Sequence, residues 1–308
     1  MNKSPSEAAP INATGLLQST PETQRKAIIA LLLGGLLISC SPILVRFAET
    51  GPIVTAFWRL ALAIIPMLIL NNRMKHGVDQ VKPASLGDLA ILAVPGILIG
   101  LELVVWHISL TMTSVANSTL IVNLSPIFVA LGGWLFLKQK ISRIFISGLV
   151  IAIFGVLILK GGPDLSGHSS LKGDAVALGA AILYAAYILM LGFTRRRFST
   201  STIMLCTTIS ATLTILPLAL IFETQYFPLT LFGWVVVCAL AWMTQAAGQS
   251  LITFAIAWLP VAFSSLTLLI QPVVAAILAW ILLSEPLSIW QICGGLIVIA
   301  GIMQARRG

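Results

Sequence analysis

Apolar runs long enough to cross a lipid bilayer follow one another from residue 27 to residue 304, and this succession constrains the fold more than any motif does. In hydrocarbon no water satisfies a backbone N–H or C=O, so such runs must form helices, whose hydrogen bonds close within each segment. The runs lie near 27–48, 53–70, 88–108, 113–137, 143–159, 173–193, 201–222, 232–256, 259–283 and 288–304. This division predicts an all-α polytopic membrane protein with ten transmembrane helices. The connections around Thr111 to Thr113 and Trp258 to Pro260 are short, so an eight-helix division with longer segments competes with it. Composition removes the soluble alternative. At 58% hydrophobic and 9% charged residues, a soluble chain of this size would lack the polar residues to cover its surface.

The most polar of the long segments, residues 102–139, recurs. Shifted by 146 residues, Val115, Ala116, Ser118, Leu120, Pro126, Ala130, Trp134 and Leu137 fall without a gap on Val261, Ala262, Ser264, Leu266, Pro272, Ala276, Trp280 and Leu283. The register continues through Ser142 on Ser288, Gly148 on Gly294 and Gly155 on Gly301. Two copies of one unit therefore share the chain, and the surface between them is the natural place for a site. The units are expected at 26–160 and 171–305, behind a polar tail at 1–25 that lacks the apolar core of a signal peptide.

Basic residues orient the spans. With ten spans and the N-terminus in the cytoplasm, the inner segments hold Lys3, Arg25, Lys26, Arg73, Lys75, Lys82, Lys138, Lys140, Arg143, Arg195, Arg196, Arg197, Arg306 and Arg307, and the outer ones only Lys160 and Lys172. That bias is the one expected of membrane insertion, and it places both termini in the cytoplasm. Five spans per copy is an odd number, so the second copy is inverted relative to the first. The net charge of +8 is thus accounted for by orientation, and no nucleic-acid partner is called for. Cys40, Cys206, Cys238 and Cys293 lie in apolar runs without ligand spacing, so neither metal nor cofactor is expected.

Two five-helix copies, each with a Ser/Thr and Ala run, a mid-helix Pro and a Gly-containing last helix, resemble the EamA-type branch of the drug/metabolite transporter superfamily. Leu283 to Glu285 keeps the Leu-x-x-Glu-like loop of that family, whereas the first copy has Lys138, Gln139 and Lys140 there. The resemblance covers 26–305. It implies a secondary transporter in the bacterial inner membrane, favours efflux, and leaves a wide choice of small-molecule substrate.

The polar residues within spans are the candidate site. Ionisable groups in hydrocarbon are costly, which singles out Arg46, Arg59 and Glu102. Arg59 and Glu102 each sit about six residues, or ~9 Å, from the outer ends of the second and third spans, hence at one depth. Two readings stand: a fixed structural bridge, or an acid that exchanges partners and couples protons to transport. Trp106 shares the Glu102 face at i+4, while His107 does not and reads as a structural histidine near the interface. Asn117, Asn123, Tyr184, Gln245 and Gln271 complete the expected cavity, with helix–helix glue as the competing reading for the asparagines. Pro126 and Pro272 are expected helix breaks at repeat-related positions. Gly96 with Gly100, Gly148 with Gly155, and Gly294 with Gly301 form small-residue faces, for packing within the chain or between two copies, so the chain is a monomer or a homodimer.

Other function classes fare worse. No G-x-x-x-x-G-K-S/T, H-E-x-x-H or G-x-S-x-G occurs, and His76 and His168 lie in loops, so neither an ATP-driven pump nor a membrane-embedded enzyme is favoured. An importer or a channel-like facilitative exchanger is the alternative to efflux. An arginine and a carboxylate at one end, with amides and aromatics elsewhere, suit an amino acid or a small amphipathic compound.

Overall fold

Proline placement shapes this bundle. In the computed structural model, which describes residues 20–73, 83–113, 115–159, 170–283 and 288–307, the first apolar run forms α1 (Pro21–Ser39) and α2 (Ser41–Arg46), interrupted where Pro42 enters the first turn of α2. Pro126 separates α5 (Val115–Val122) from α6 (Ser125–Leu137), and Pro272 lies just inside α13 (Ile270–Leu283), after α12 (Val261–Thr267). Proline has no N–H to give and its ring crowds the preceding turn, so each break is local and chemically determined. The remaining helices are α3 (Pro52–Arg73), α4 (Leu86–Met112), α7 (Arg143–Leu159), α8 (Leu171–Thr194), α9 (Thr200–Phe222), α10 (Leu231–Ala239), α11 (Ser250–Ile256) and α14 (Ile289–Ala305). Residues Leu240–Gln249 join α10 to α11 as a π-helical segment.

Helix starts are written in short polar residues. Thr20, Ser85, Ser170, Ser199 and Thr230 each accept a hydrogen bond from an N–H in the first turn, and Ser288 forms a capping box with Gln291. Among the described residues eight helical stretches are long and apolar enough to cross a membrane. The helices α7 and α14 are equally apolar but only 17 residues each. The chain is an all-α, multi-pass membrane protein.

The small-residue faces are used within the chain. A Cβ built on Gly155 would lie 2.6 Å from the backbone nitrogen of Val298, and one on Gly148 would lie 2.5 Å from that of Ala305, so α7 and α14 cross at backbone contact. Gly96 abuts Ser210 and the Thr207 carbonyl, and a Cβ on Gly100 would meet Thr214 at 3.0 Å, which seats α4 against α9. Lengthwise, α1 packs on α11 and the π segment, and α3 packs on α9. The two copies therefore interleave instead of forming separate bodies. In this arrangement α1, α3 and α4 are each seated on helices of the other copy.

Candidate functional site

The three proline breaks converge. A cavity of about 240 Å³ is lined by Asn123, Ser125 and Pro126 from the α5–α6 break and by Leu268, Leu269 and Gln271 from the α12–α13 break. A second cavity of about 510 Å³ reaches Ser41 and Pro42 at the α1–α2 break and Pro272. The two share Arg59, Trp106, Asn123 and Gln271 as common wall. At the breaks the backbone closes in tight i to i+3 bonds: the Leu124 N–H donates to the Ile121 carbonyl at 3.0 Å and the Gln271 N–H to the Leu268 carbonyl at 2.9 Å. Irregular backbone at such depth is tolerated where it faces a polar cavity and not lipid.

Within this wall Arg59 and Glu102 are the charged residues. Arg59 Nη1 donates to Ser41 Oγ at 3.1 Å, tying α3 to the α1–α2 break, while its Nε–H is buried without a partner. Glu102 is 6% exposed and accepts no hydrogen bond from any described residue. The two line the same small cavity yet form no ion pair with each other. A fixed bridge between them is not what holds α3 to α4 in this conformation. Trp106 Nε1 and Gln271 Nε2 are likewise buried donors without acceptors.

Of the residues expected from sequence, Arg59, Glu102, Trp106, Asn123, Pro126, Tyr184, Gln245 and Gln271 line the smaller cavity, and Pro272 lines the larger one. Tyr184 stacks at a tilt on Tyr187, with ring centres 5.9 Å apart, and Tyr187 is itself part of the apolar core. Asn117 falls in α5, but its side chain lies outside the described residues. His107 lines the larger cavity, and its Nδ1 donates to the Leu103 carbonyl at 2.6 Å, a structural bond one turn back along α4. Ser41, Gln249, Ser265 and Gln291 also line the cavities. The Ser41-Pro42 dipeptide is a legible break signal; Gln249 is presented by the π segment, a local widening with no sequence signature comparable to proline.

Leu268 of the smaller cavity belongs to an apolar core that also includes Leu31, Leu92, Ile188, Phe198, Ile252 and Leu259. Arg195, just beyond α8, is tied to the backbone beside this core: its Nη1 donates to the Phe198 carbonyl at 2.6 Å and its Nε to the Thr253 carbonyl at 3.2 Å. Burial pulls its guanidinium down to about 10. Arg197 pairs with Asp88 at 2.8 Å. The larger cavity continues to Val45, Pro52, Leu159 and Gln291, residues at or near helix ends.

A polytopic helical bundle holding a largely apolar cavity with a few charged and amide side chains, where its internal repeats meet, is the architecture expected of a membrane transporter. The family model for the EamA-like transporter family matches twice, over residues 25–160 and 171–305, and the chain belongs to that family. It is similar to the uncharacterized transporter YyaM of Bacillus subtilis, with 25% identity over 83% of this chain and 84% of that one. An uncharacterized transporter of Archaeoglobus fulgidus is 26% identical over 46% of this chain and 48% of its own. Solute carrier family 35 member G1 of Mus musculus is 28% identical over 42% of this chain and 36% of its own. A solved protein structure superposes with a TM-score of 0.77 over 94% of this chain and 99% of that one at 14% identity, a likeness of fold.

Proposed function

We propose that this transporter is a secondary carrier that exports small metabolites, such as amino acids or amphipathic compounds, by alternating access coupled to protons. The observation that carries the reading is the pair Arg59 and Glu102, held unbridged on the wall of one small cavity between the repeats. Two buried charges left apart are costly unless something else engages them, and a substrate and a proton are the two partners a carrier brings. Ten helices in two inverted five-helix units, 26–160 and 171–305, behind a cytoplasmic tail at 1–25, fit both the internal repeat and the distribution of lysine and arginine. In that orientation both termini are cytoplasmic in a bacterial inner membrane, the apolar core beside Arg195 serves as the seal toward the cytoplasm, and the larger cavity faces outward. Efflux is the direction the family likeness favours. The same reading assigns no enzymatic step to the chain.

The test is reconstitution. Proteoliposomes holding the purified protein are loaded with a pooled metabolite library, and release and uptake are followed with and without an imposed pH gradient. Saturable, gradient-driven movement of amino acids or amphiphiles is expected. Flux that rises linearly with concentration and shows no competition identifies a channel instead, and movement of phosphorylated sugars alone refutes the substrate class.

A further inference from the structure

Among the described residues, four buried N–H donors lack an acceptor: Arg59 Nε, Trp106 Nε1, Gln271 Nε2 and Trp258 Nε1. Three of the four lie on the one wall common to both cavities, and they come from three different helices, α3, α4 and α13. The unpartnered hydroxyls of Thr207, Thr208 and Ser264 line neither cavity, and a buried donor without an acceptor is costly to keep. All three ask for the same chemistry, an oxygen with lone pairs in several directions. A carboxylate supplies it, and its single charge matches the single guanidinium. A phosphate dianion does not fit as well: Arg59 is the one cation on the wall, and Glu102 repels a second negative charge. A cation without an acid group meets Arg59 and leaves all three donors empty.

We propose that Arg59, Trp106 and Gln271 form a cradle for a free carboxylate, with Glu102 facing an ammonium at the other pole of the same molecule, so that the cavity selects zwitterionic amino acids over amphiphilic cations and phosphorylated compounds. This rests on the cavity being the substrate site, and it narrows the substrate class proposed for it.

Matched trios test it by binding, without flux: leucine, leucinamide and 4-methylpentanoic acid, and the same set built on threonine and on phenylalanine, each titrated calorimetrically into the purified full-length protein in lipid nanodiscs. The amino acids bind; removing the carboxylate as the amide weakens binding about tenfold or more, as expected for lost hydrogen bonds to a charged group. Removing the amine also weakens it, and Glu102→Gln narrows that second difference. Trp106→Phe and Gln271→Leu each weaken the acids about tenfold and leave the amides unchanged, and melting of the ligand-free variants confirms that they fold. Should one variant fail to fold, the other and the unmodified trios decide the matter. Amides that bind as tightly as acids overturn the cradle, as does the failure of all three amino acids to bind. Acids that bind but are never carried across a bilayer refute the transport reading and leave the cradle in place.

Discussion

Glu49 and Glu223 cap each other's neighbouring helix. The Glu223 carboxylate, at the end of α9, accepts the N–H groups of Ile53 at 2.7 Å and Val54 at 3.0 Å in the first turn of α3. The Glu49 carboxylate, just before α3, accepts those of Leu229 at 2.8 Å and Thr230 at 2.9 Å, together with the Thr230 hydroxyl, at the start of α10. Each acid thus satisfies otherwise orphaned amide donors at a positive helix end, and the two loops are clasped at the end opposite the termini. Gln225 adds a bond from Nε2 to the Glu49 carbonyl at 3.0 Å.

The clasp makes stability depend on pH in a defined sense. The hydroxyl and N–H donors around Glu49 hold its carboxyl below the usual carboxylate range. A folded-state value below the unfolded one contributes stability above the unfolded value, about 4.3, and loses it as pH falls through the folded value. Glu49→Gln should melt at lower temperature than the parent at neutral pH, and the two melting curves should converge as pH falls below the usual carboxylate range. A difference that persists unchanged at acid pH would show that the carboxylate charge is not what the clasp uses.

Glu102 should carry coupling. With Glu102→Gln, gradient-driven movement in proteoliposomes is expected to vanish while substrate exchange across equal pH is retained. A variant that still concentrates substrate against a gradient would reduce Glu102 to an ordinary lining residue. Failure to accumulate in the membrane, cured by also changing Arg59 to Gln, would show that the two depend on each other for folding.

Gly155→Leu should cost about 1 to 3 kcal/mol or more, because the new side chain meets the backbone of α14 and not a yielding side chain. Gly87→Ala, where the nearest atom to a Cβ is Ser85 Oγ at 3.7 Å, should be neutral. Melting temperature separates the two, and size-exclusion mass should be the same for both, since the glycine face is spent inside the chain.

Replacing Arg195 by Met leaves the carbonyls of Phe198 and Thr253 without their donor, a cost of about 1 to 3 kcal/mol. The seal at the terminal end should loosen accordingly. A cysteine at Thr253, fully buried in the parent, should react faster with a soluble maleimide in the Arg195→Met background. Equal labelling in both backgrounds would place the seal elsewhere, in the apolar core around Phe198.

Much of the site was legible because membrane burial makes polar residues conspicuous. Arg59, Glu102, Asn123, Gln245 and Gln271 stand out in apolar runs, and all of them line the central cavity. Helix limits were close as well: the run at 143–159 is α7 itself, and 201–222 differs from α9 by one residue. The run at 27–48 hid the break at Pro42, since hydropathy averages over a kink. Interleaving of the copies was out of reach, because a repeat reports what two segments share and not which of them touch. The Glu49 and Glu223 clasp was invisible for a related reason: both acids lie in connections, where an ionisable residue costs nothing and draws no notice. Ser284 and Glu285 of the Leu-x-x-Glu-like loop, and the Asn117 side chain, fall outside the described residues.

Interleaving has a consequence for how the protein is made. The helices of the first copy, α1 to α7, leave the ribosome before Tyr184, Gln245 or Gln271 exists, and α1, α3 and α4 have their seats on α9, α11 and the π segment still unsynthesised. During that interval Arg59 and Glu102 have neither a finished cavity nor the neighbours that later shield it, so half a carrier waits in the bilayer with its charges unhoused. Insertion must therefore proceed with the early helices loosely held, and the glycine face of α7 has no partner until α14 is made.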